Sequence, residues 1–89
     1  MANEKPVFAL FGASVVSASA IGAEQTHLRL VLDASGTRIN AVGFSLGRLA
    51  QYLTPGLAVD IAFNLEVNSY QGNESVQLIL KDIKKSERK

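Results

Sequence analysis

Apolar and polar residues alternate in two stretches of the C-terminal half of the chain. In the first stretch every second residue is apolar, at Val59, Ile61, Phe63, Leu65 and Val67. Alternation with a period of two is typical of a β-strand that buries one face. Residues 76–83 form the second stretch, and the polar segment between the two contains Gly72, which tolerates a positive φ angle. The pattern predicts an antiparallel β-hairpin.

The N-terminal half predicts three further strands. Leucines alternate with other residues over 28–32, and a turn-forming segment at 33–36 leads to a third strand over 37–44. We expect a β-bulge near Gly43, where the alternation is blurred. Residues 8–20 predict one long or bent strand, followed by a loop over 21–26. The expected core includes the four phenylalanines, Phe8, Phe11, Phe44 and Phe63.

Between the third and fourth strands the period changes to that of a helix. Apolar residues occur at positions i, i+3, i+4 and i+7, which are Leu46, Leu49, Ala50 and Leu53. Ser45 is placed to cap the start of this helix, and the Pro-Gly pair at 55–56 ends it. A helix of about two turns is not stable alone, so its apolar stripe must pack against the sheet.

The predicted order is strand, strand, strand, helix, strand, strand. That is the order of the OB-fold, an all-β fold in which five strands form a small Greek-key barrel, and we assign it to residues 1–83. Residues 84–89 are interpreted as a basic C-terminal tail. The pattern leaves open one alternative, an open meander with a helix laid on it.

Composition limits the chemistry that this domain carries. The chain has 89 residues, 47% of them hydrophobic, which suits one small domain with a buried core. With no cysteine and one histidine, it has no disulfide, no thiolate metal site and no histidine-rich metal cage. Its sequence shows no P-loop, no complete nucleophile triad and no clustered carboxylates. We expect this chain alone not to be an enzyme and to hold no cofactor.

Charge is unevenly distributed, although the formal net charge is only +1. Residues 81–89 carry +3 and the rest of the chain carries −2. A slightly acidic body does not hold a polyanion by its overall field, so nucleic-acid binding must depend on local arrangement. The uncharged run over 7–23 lacks the leucine-rich centre of a signal peptide and is short for a membrane span. We therefore expect a cytoplasmic protein with no membrane association.

OB-fold barrels bind oligonucleotides across strands two and three and between the loops that join strands one to two and four to five. The candidate binding residues at these places are His27, Arg29, Arg38, Asn40, Asn68 and Tyr70. Arginines can reach phosphates, and Tyr70 or His27 can stack on bases. The same residues also suit a solvated surface, with the Tyr70 ring packed on its own hairpin.

Six stretches carry a family resemblance: NEKPVF at 3–8, THLRL at 26–30, AVGF at 41–44, DIAFNLEVNSYQG at 60–72, VQL at 76–78 and KDI at 81–83. Together they resemble the OB domain of RecJ-type single-strand-specific DNA exonucleases. The resemblance covers nearly the whole chain, in order. No single stretch would suffice, because each is short and mostly structural.

The resemblance implies an accessory domain that guides or grips single-stranded DNA for a 5′-to-3′ exonuclease of DNA recombination and repair. Catalysis in such nucleases belongs to separate DHH-type domains, which hold manganese or magnesium through Asp and His and whose motifs are absent here. The matching positions with polar or stacking capacity are His27, Arg29, Asn68, Tyr70 and Gln77. After the hairpin glycine the family usually carries more basic residues, whereas this chain has Asn73 and Glu74. We therefore expect the isolated chain to bind single-stranded DNA weakly.

Two functions remain open from the sequence. In the first, the barrel binds single-stranded DNA directly and completes a channel in the intact enzyme. In the second, it is an interdomain brace or a protein-docking module with little affinity for DNA. An exposed apolar patch containing Val31, Val42 and Ile79 would favour the second function.

Overall fold

A computed structural model describes residues 6–87 of the chain, which form five strands and one short helix. The strands are β1 Phe8–Ile21, β2 His27–Ala34, β3 Thr37–Gly43, β4 Ala58–Tyr70 and β5 Asn73–Lys85. The helix, η1, is a 3-10 helix over Gly47–Tyr52. The predicted order of elements is confirmed, with a 3-10 helix in the helical position.

The strands close into a barrel in the order β1-β2-β3-β5-β4. Neighbouring strands are antiparallel except for β3 and β5, which run parallel and pair at Ala41 with Leu78 and at Val42 with Ile79. The first half of β1 pairs with β4 and its second half pairs with β2. Pairing of β1 with both strands closes the barrel. The closed five-stranded barrel confirms the predicted fold and excludes the open meander.

The inner face of β2 forms the centre of the core. Leu28, Leu30 and Leu32 are fully buried and pack with Val15 of β1 and Val59 of β4. Burying one leucine or valine side chain contributes about 1.5–3 kcal/mol. These alternating leucines therefore fix which face of β2 points inward, as their spacing predicts.

β1 bends where it changes partner. Its ladder with β4 is irregular between Leu10 and Ala13, and Gly12 lies within this break with a φ of 75°. The N–H of Gly12 donates a hydrogen bond to Asp60 Oδ1 at 2.8 Å. A bulge with glycine in the left-handed region bends a strand at little steric cost, which explains the long, bent strand.

The predicted bulge at Gly43 is wrong. The β2–β3 ladder is regular from its turn to the pair of Leu28 with Gly43. A Cβ at residue 43 would stand 2.8 Å from Leu46 Cδ1 and 3.3 Å from Leu80 Cδ2. Glycine at this position leaves room for the side chains of Leu46 and Leu80, and a larger residue would have to displace them.

Two tight turns connect the hairpins. Ser35 and Gly36 join β2 to β3 with φ angles of 53° and 89°, and Gln71 and Gly72 join β4 to β5 with 51° and 81°. Two consecutive positive φ angles match the turn type that suits the twist of paired strands. The positive φ predicted for Gly72 is confirmed.

The helix η1 closes one end of the barrel with the predicted apolar stripe. Leu53 is buried, and the other three stripe residues are half-buried against the core. Ser45 does not cap the helix: the capping position is Leu46, which makes no side-chain cap hydrogen bond, and Ser45 has a φ of 62°. No helix within residues 6–87 is long and apolar enough to cross a membrane.

The ends of β4 and β5 beyond the last β3–β5 pair form a hairpin arm, residues 66–77, that extends past the barrel. The core face of β4 passes from fully buried Val59 to Val67, which is 63% exposed, and Val76 opposite Val67 is 61% exposed. Outside the barrel, no facing strand within residues 6–87 covers this apolar face. The prediction that every alternate residue of β4 is buried is therefore wrong at Leu65 and Val67.

Three of the four phenylalanines expected in the core are exposed, namely Phe8, Phe11 and Phe44. Only Phe63 packs against the core, half-buried, and its ring stacks on that of Phe8 at a centroid distance of 5.9 Å. Phe8 and Phe63 are cross-strand partners near the edge of the barrel. Composition alone did not distinguish them from core aromatics.

β5 continues past residue 83, where the barrel was predicted to end. Lys84 and Lys85 pair with Asp60 and Val59 of β4, and the N–H of Ser86 donates to the carbonyl of Ala58 at 2.9 Å. The last two residues of the basic tail, Arg88 and Lys89, lie outside the described residues.

We expect Leu30→Ala to lower the free energy of unfolding by about 2–5 kcal/mol, because it leaves a cavity among fully buried side chains. Val76→Ala, which truncates an exposed side chain of the hairpin arm, should change it by about 0.5 kcal/mol or less. Urea denaturation of both variants measures the difference. Equal losses would contradict the placement of the core.

Candidate nucleic-acid interface

Four of the predicted binding residues share the outer face of β2 and β3. Arg29 lies opposite Val42, and Asn40 lies opposite Val31. His27 and Arg29 alternate with the buried leucines of β2, so their side chains point away from the core. Arg38, two residues before Asn40 on β3, lies on the same face.

The parallel pairing of β3 with β5 extends this face to a third strand. Val42 pairs with Ile79, and Gln77, two residues before Ile79, lies on the same side of β5. Gln77 is half-buried. The structure thus brings five predicted residues, His27, Arg29, Arg38, Asn40 and Gln77, to one surface, which we call the β2–β3–β5 face.

Asn68 and Tyr70 lie at the end of β4, in the hairpin arm. Their backbones pair with Ser75 and Asn73 of β5. Their side chains lie outside the part of the structure that is described. The roles assigned to them therefore stay predictions.

His27 is held on both sides by the segment that follows β3. Its Nδ1 accepts a hydrogen bond from the N–H of Ser45 at 3.1 Å, and its ring meets Phe44 edge to face at a centroid distance of 5.3 Å. A ring nitrogen that accepts is unprotonated, so Nε2 carries the proton in this arrangement. His27 therefore positions the start of η1, a role that its isolated place in the sequence did not indicate.

Phe44 is an exposed aromatic residue of the interface that the sequence reasoning placed in the core. It is 56% exposed and extends the row of Ile21 and His27, which pair across β1 and β2. No local pattern could have identified it, because β3 ends where Gly43 pairs with Leu28, and Phe44 lies in the turn that follows.

Charge favours Arg29 over Arg38 as the contact for an anion. Arg38 lies opposite Asp33, whose carboxylate offsets its charge. Arg29 has uncharged partners on both sides, Ser19 on β1 and Val42 on β3. Asp33 Oδ1 is buried and has no hydrogen-bond partner in residues 6–87, so that end of the face is also the less favourable for a phosphate.

The loop between β1 and β2 is anchored directly to η1. The N–H of Gly47 donates to the carbonyl of Thr26 at 2.7 Å. A Cβ at residue 47 would overlap the backbone of Gln25 and Thr26. Because only glycine allows this approach, His27, at the start of β2, and Phe44, before η1, are held beside each other by backbone contacts.

Residues 6–87 contain no group of three or more His, Asp or Glu side chains placed to hold a metal ion. The β2–β3–β5 face offers guanidinium, amide and aromatic groups instead. Such groups contact phosphates through charge and hydrogen bonds, and they contact bases through stacking.

A sequence model of a protein family, described as the RecJ OB domain, matches residues 1–82. The chain belongs to the RecJ OB domain family. Among curated proteins, the single-stranded-DNA-specific exonuclease RecJ of Bacillus subtilis (strain 168) is 29% identical over 87 residues. The match covers 98% of this chain and 11% of that relative, so the chain spans about one ninth of its length.

Solved structures of low sequence identity share the fold of this RecJ OB domain. The mitochondrial single-stranded DNA binding protein Rim1 of S. cerevisiae matches with a TM-score of 0.72 and 14% identity, over 92% of this chain and 96% of that one. A small single-stranded DNA-binding protein from Streptomyces coelicolor matches with a TM-score of 0.63 and 10% identity, over 96% and 97%. These matches establish the OB-fold.

His27→Ala should lower the free energy of unfolding by about 1 kcal/mol, because the Ser45 N–H loses its acceptor. Asn40→Ala, an exposed change on the same face, should alter it by about 0.5 kcal/mol or less. Urea denaturation and the amide chemical shift of Ser45 measure both effects. A His27→Ala variant as stable as Asn40→Ala would show that the hydrogen bond does not hold η1.

Proposed function

We propose that this chain is an accessory domain that grips single-stranded DNA for a RecJ-type 5′-to-3′ exonuclease. The observation that carries the proposal is the β2–β3–β5 face, where Arg29 lies two residues after His27, whose ring contacts the exposed ring of Phe44. Membership of the RecJ OB domain family and the single-stranded DNA-binding proteins of the same fold support it.

The proposed contacts divide into two kinds. Arg29 binds a phosphate, with Arg38 as a weaker second contact, and Phe44 stacks on a base with its free ring surface. Stacking accepts any base, because every base has a π-face. Asn40 and Gln77 supply hydrogen bonds at the same face, and Asn68 and Tyr70 extend the path along the hairpin arm.

The grip of the isolated chain is weak in this proposal. Few cations lie on the face, and the body outside residues 81–89 carries a net charge of −2. Tethering to a longer nuclease raises the local concentration of the domain at a strand held elsewhere, so weak contacts suffice there. A domain of this kind guides the strand rather than anchoring it.

The nuclease chemistry is assigned to other parts of the longer protein. We propose that DHH-type domains outside this chain hold manganese or magnesium and hydrolyse the DNA, in recombination and repair in the cytoplasm. The chain itself is non-catalytic and needs no cofactor in this proposal. The B. subtilis relative, of which the chain matches only 11%, supports this division of labour.

The proposal predicts that Phe44→Leu weakens binding of a fluorescent oligo-dT about tenfold, because a stacked base contributes about 1–3 kcal/mol. Arg29→Ala should weaken binding severalfold and reduce the slope of log affinity against log salt by about 0.7. Lys85→Ala removes the same charge outside the β2–β3–β5 face and should have little effect. Fluorescence anisotropy at several salt concentrations measures all three.

Two results would contradict this proposal. One is no binding of oligo-dT by the wild-type chain even at low salt. The other is an equal loss of affinity in Arg29→Ala and Lys85→Ala, because only general charge would then hold the DNA.

A second candidate function, an interdomain brace, is favoured by one observation. The apolar patch expected for this function is not exposed, since Ile79 is buried at 8% exposure and Val31 and Val42 are half-buried. The hairpin arm instead carries an exposed apolar face around Val67 and Val76. An apolar face of this kind suits contact with another domain of the longer protein.

The brace predicts that Val67→Glu in the full-length nuclease increases protease cleavage at the boundaries of this domain, because a buried charge weakens the contact. The same change should leave the unfolding of the isolated chain within about 0.5 kcal/mol, since Val67 is exposed there. Limited proteolysis and urea denaturation measure the two effects. Unchanged cleavage would argue against the brace.

A further inference from the structure

The turn between β3 and η1 is strained, and two side chains hold it. Ser45 has a φ of 62°, a left-handed conformation that residues other than glycine adopt uncommonly. Its N–H donates a hydrogen bond to Nδ1 of His27 at 3.1 Å, and its carbonyl accepts one from Nη1 of Arg48 at 3.0 Å. Backbone strain of this kind persists only where the surrounding structure enforces it, and it clusters at functional sites. We therefore asked what this turn presents to a ligand.

The turn presents the ring of Phe44 to solvent. This ring is 56% exposed, and it meets the ring of His27 edge to face at a centroid distance of 5.3 Å. Because the next residue, Ser45, has both its N–H and its carbonyl bonded, the backbone that carries Phe44 is fixed on its C-terminal side. A ring on a fixed backbone loses little conformational entropy when it binds a flat partner.

Arg48 supplies a positive charge at the same turn. It is exposed, and its bond to the carbonyl of Ser45 uses one of the five N–H donors of the guanidinium. The other four donors have no hydrogen-bond or ion-pair partner within residues 6–87. The bond to Ser45 therefore holds an uncompensated cation at the residue that directly follows Phe44.

We propose that Arg48 binds the phosphate adjacent to the base that stacks on Phe44. This inference rests on the proposed function, in which Phe44 stacks on a base and Arg29 binds another phosphate. A guanidinium binds a phosphate through two parallel hydrogen bonds, which the free donors of Arg48 can supply. Because Arg29 belongs to β2 and Arg48 to η1, the DNA strand then passes Phe44 and leaves the β2–β3–β5 face over η1.

A nucleotide fits this pair of groups better than an acidic side chain of a protein. Each nucleotide combines a flat base with a charged phosphate, so it contacts the Phe44 ring and the Arg48 guanidinium together. An aspartate or glutamate side chain pairs with the guanidinium but offers no flat surface to the ring. The combination of an exposed ring and a free guanidinium therefore favours single-stranded nucleic acid, whose bases are open to stacking.

The test measures binding of a fluorescent oligo-dT to the 89-residue chain at several salt concentrations. Arg48→Ala should weaken binding about fivefold and reduce the slope of log affinity against log salt by about 0.7, because one phosphate contact is lost. Arg48→Lys keeps the charge but not the planar fork, so it should keep the slope and lose part of the affinity. The control Lys84→Ala removes a charge that lies opposite Asp60 of β4, and it should change neither quantity.

A second comparison separates a phosphate contact from simple support of the turn. If Arg48 only held the turn in place, Arg48→Ala would lower affinity without changing the salt slope, and it would have no effect in the Phe44→Leu background. For a phosphate contact we expect the slope to fall in both backgrounds. The Nε–H NMR signal of Arg48 should also shift when oligo-dT is added, as should that of Arg29.

Three results would overturn the inference. The first is an Arg48→Ala variant that binds as well as Lys84→Ala while Arg29→Ala and Phe44→Leu still weaken binding, because the proposed grip would then stand without Arg48. The second is a loss of affinity in Arg48→Ala at an unchanged salt slope, which would make Arg48 a support of the turn. The third is no binding of oligo-dT by the wild-type chain at low salt, which would contradict the proposed function as well.

Discussion

Closure of the barrel by β1 is the constraint on which the rest of the structure depends. One strand must pair with β4 along its first half and with β2 along its second half, so it must bend between them. Gly12, with its positive φ, and the hydrogen bond from its N–H to Asp60 make that bend possible. Without closure, two strand edges would be left unpaired and the leucines of β2 would lose their cover, a serious loss for so small a domain.

The same closure sets the direction of every polar residue on the outer surface. Because Leu28, Leu30 and Leu32 are fixed inward, a shift of β2 by one residue would bury Arg29 and expose the leucines. The free energy gained by burying these leucines therefore determines that the guanidinium of Arg29 lies on the outer face of β2. Gly47 and His27 then tie the loop after β1 to η1, so that Phe44 stands beside this face rather than on a loose segment. A rigid sheet presents the polar and aromatic groups without a backbone ordering cost at binding, so that only side-chain freedom is lost.

Short-range patterns predicted the strands, both hairpins and the apolar stripe of the helix, because each depends on neighbouring residues alone. They did not predict what depends on distant parts of the chain. Gly43 leaves room for the side chains of Leu46 and Leu80, Ser45 donates to His27 instead of capping a helix, and Val67 is exposed because no strand of residues 6–87 faces the hairpin arm. Most of the predicted site residues share one face because alternation in a strand is local. Phe44 was missed because its exposure follows from the pairing of Gly43 with Leu28.

Net charge alone does not explain how the outer face of the barrel would hold DNA. Residues 81–89 carry +3 while the remainder carries −2, so the body that presents the β2–β3–β5 face is slightly acidic. In the proposed function a DNA strand on that face therefore depends on one favourable arginine and on stacking, and not on the overall field. Because weak contacts gain from tethering in a longer protein, the proposed grip does not need high affinity in this short chain.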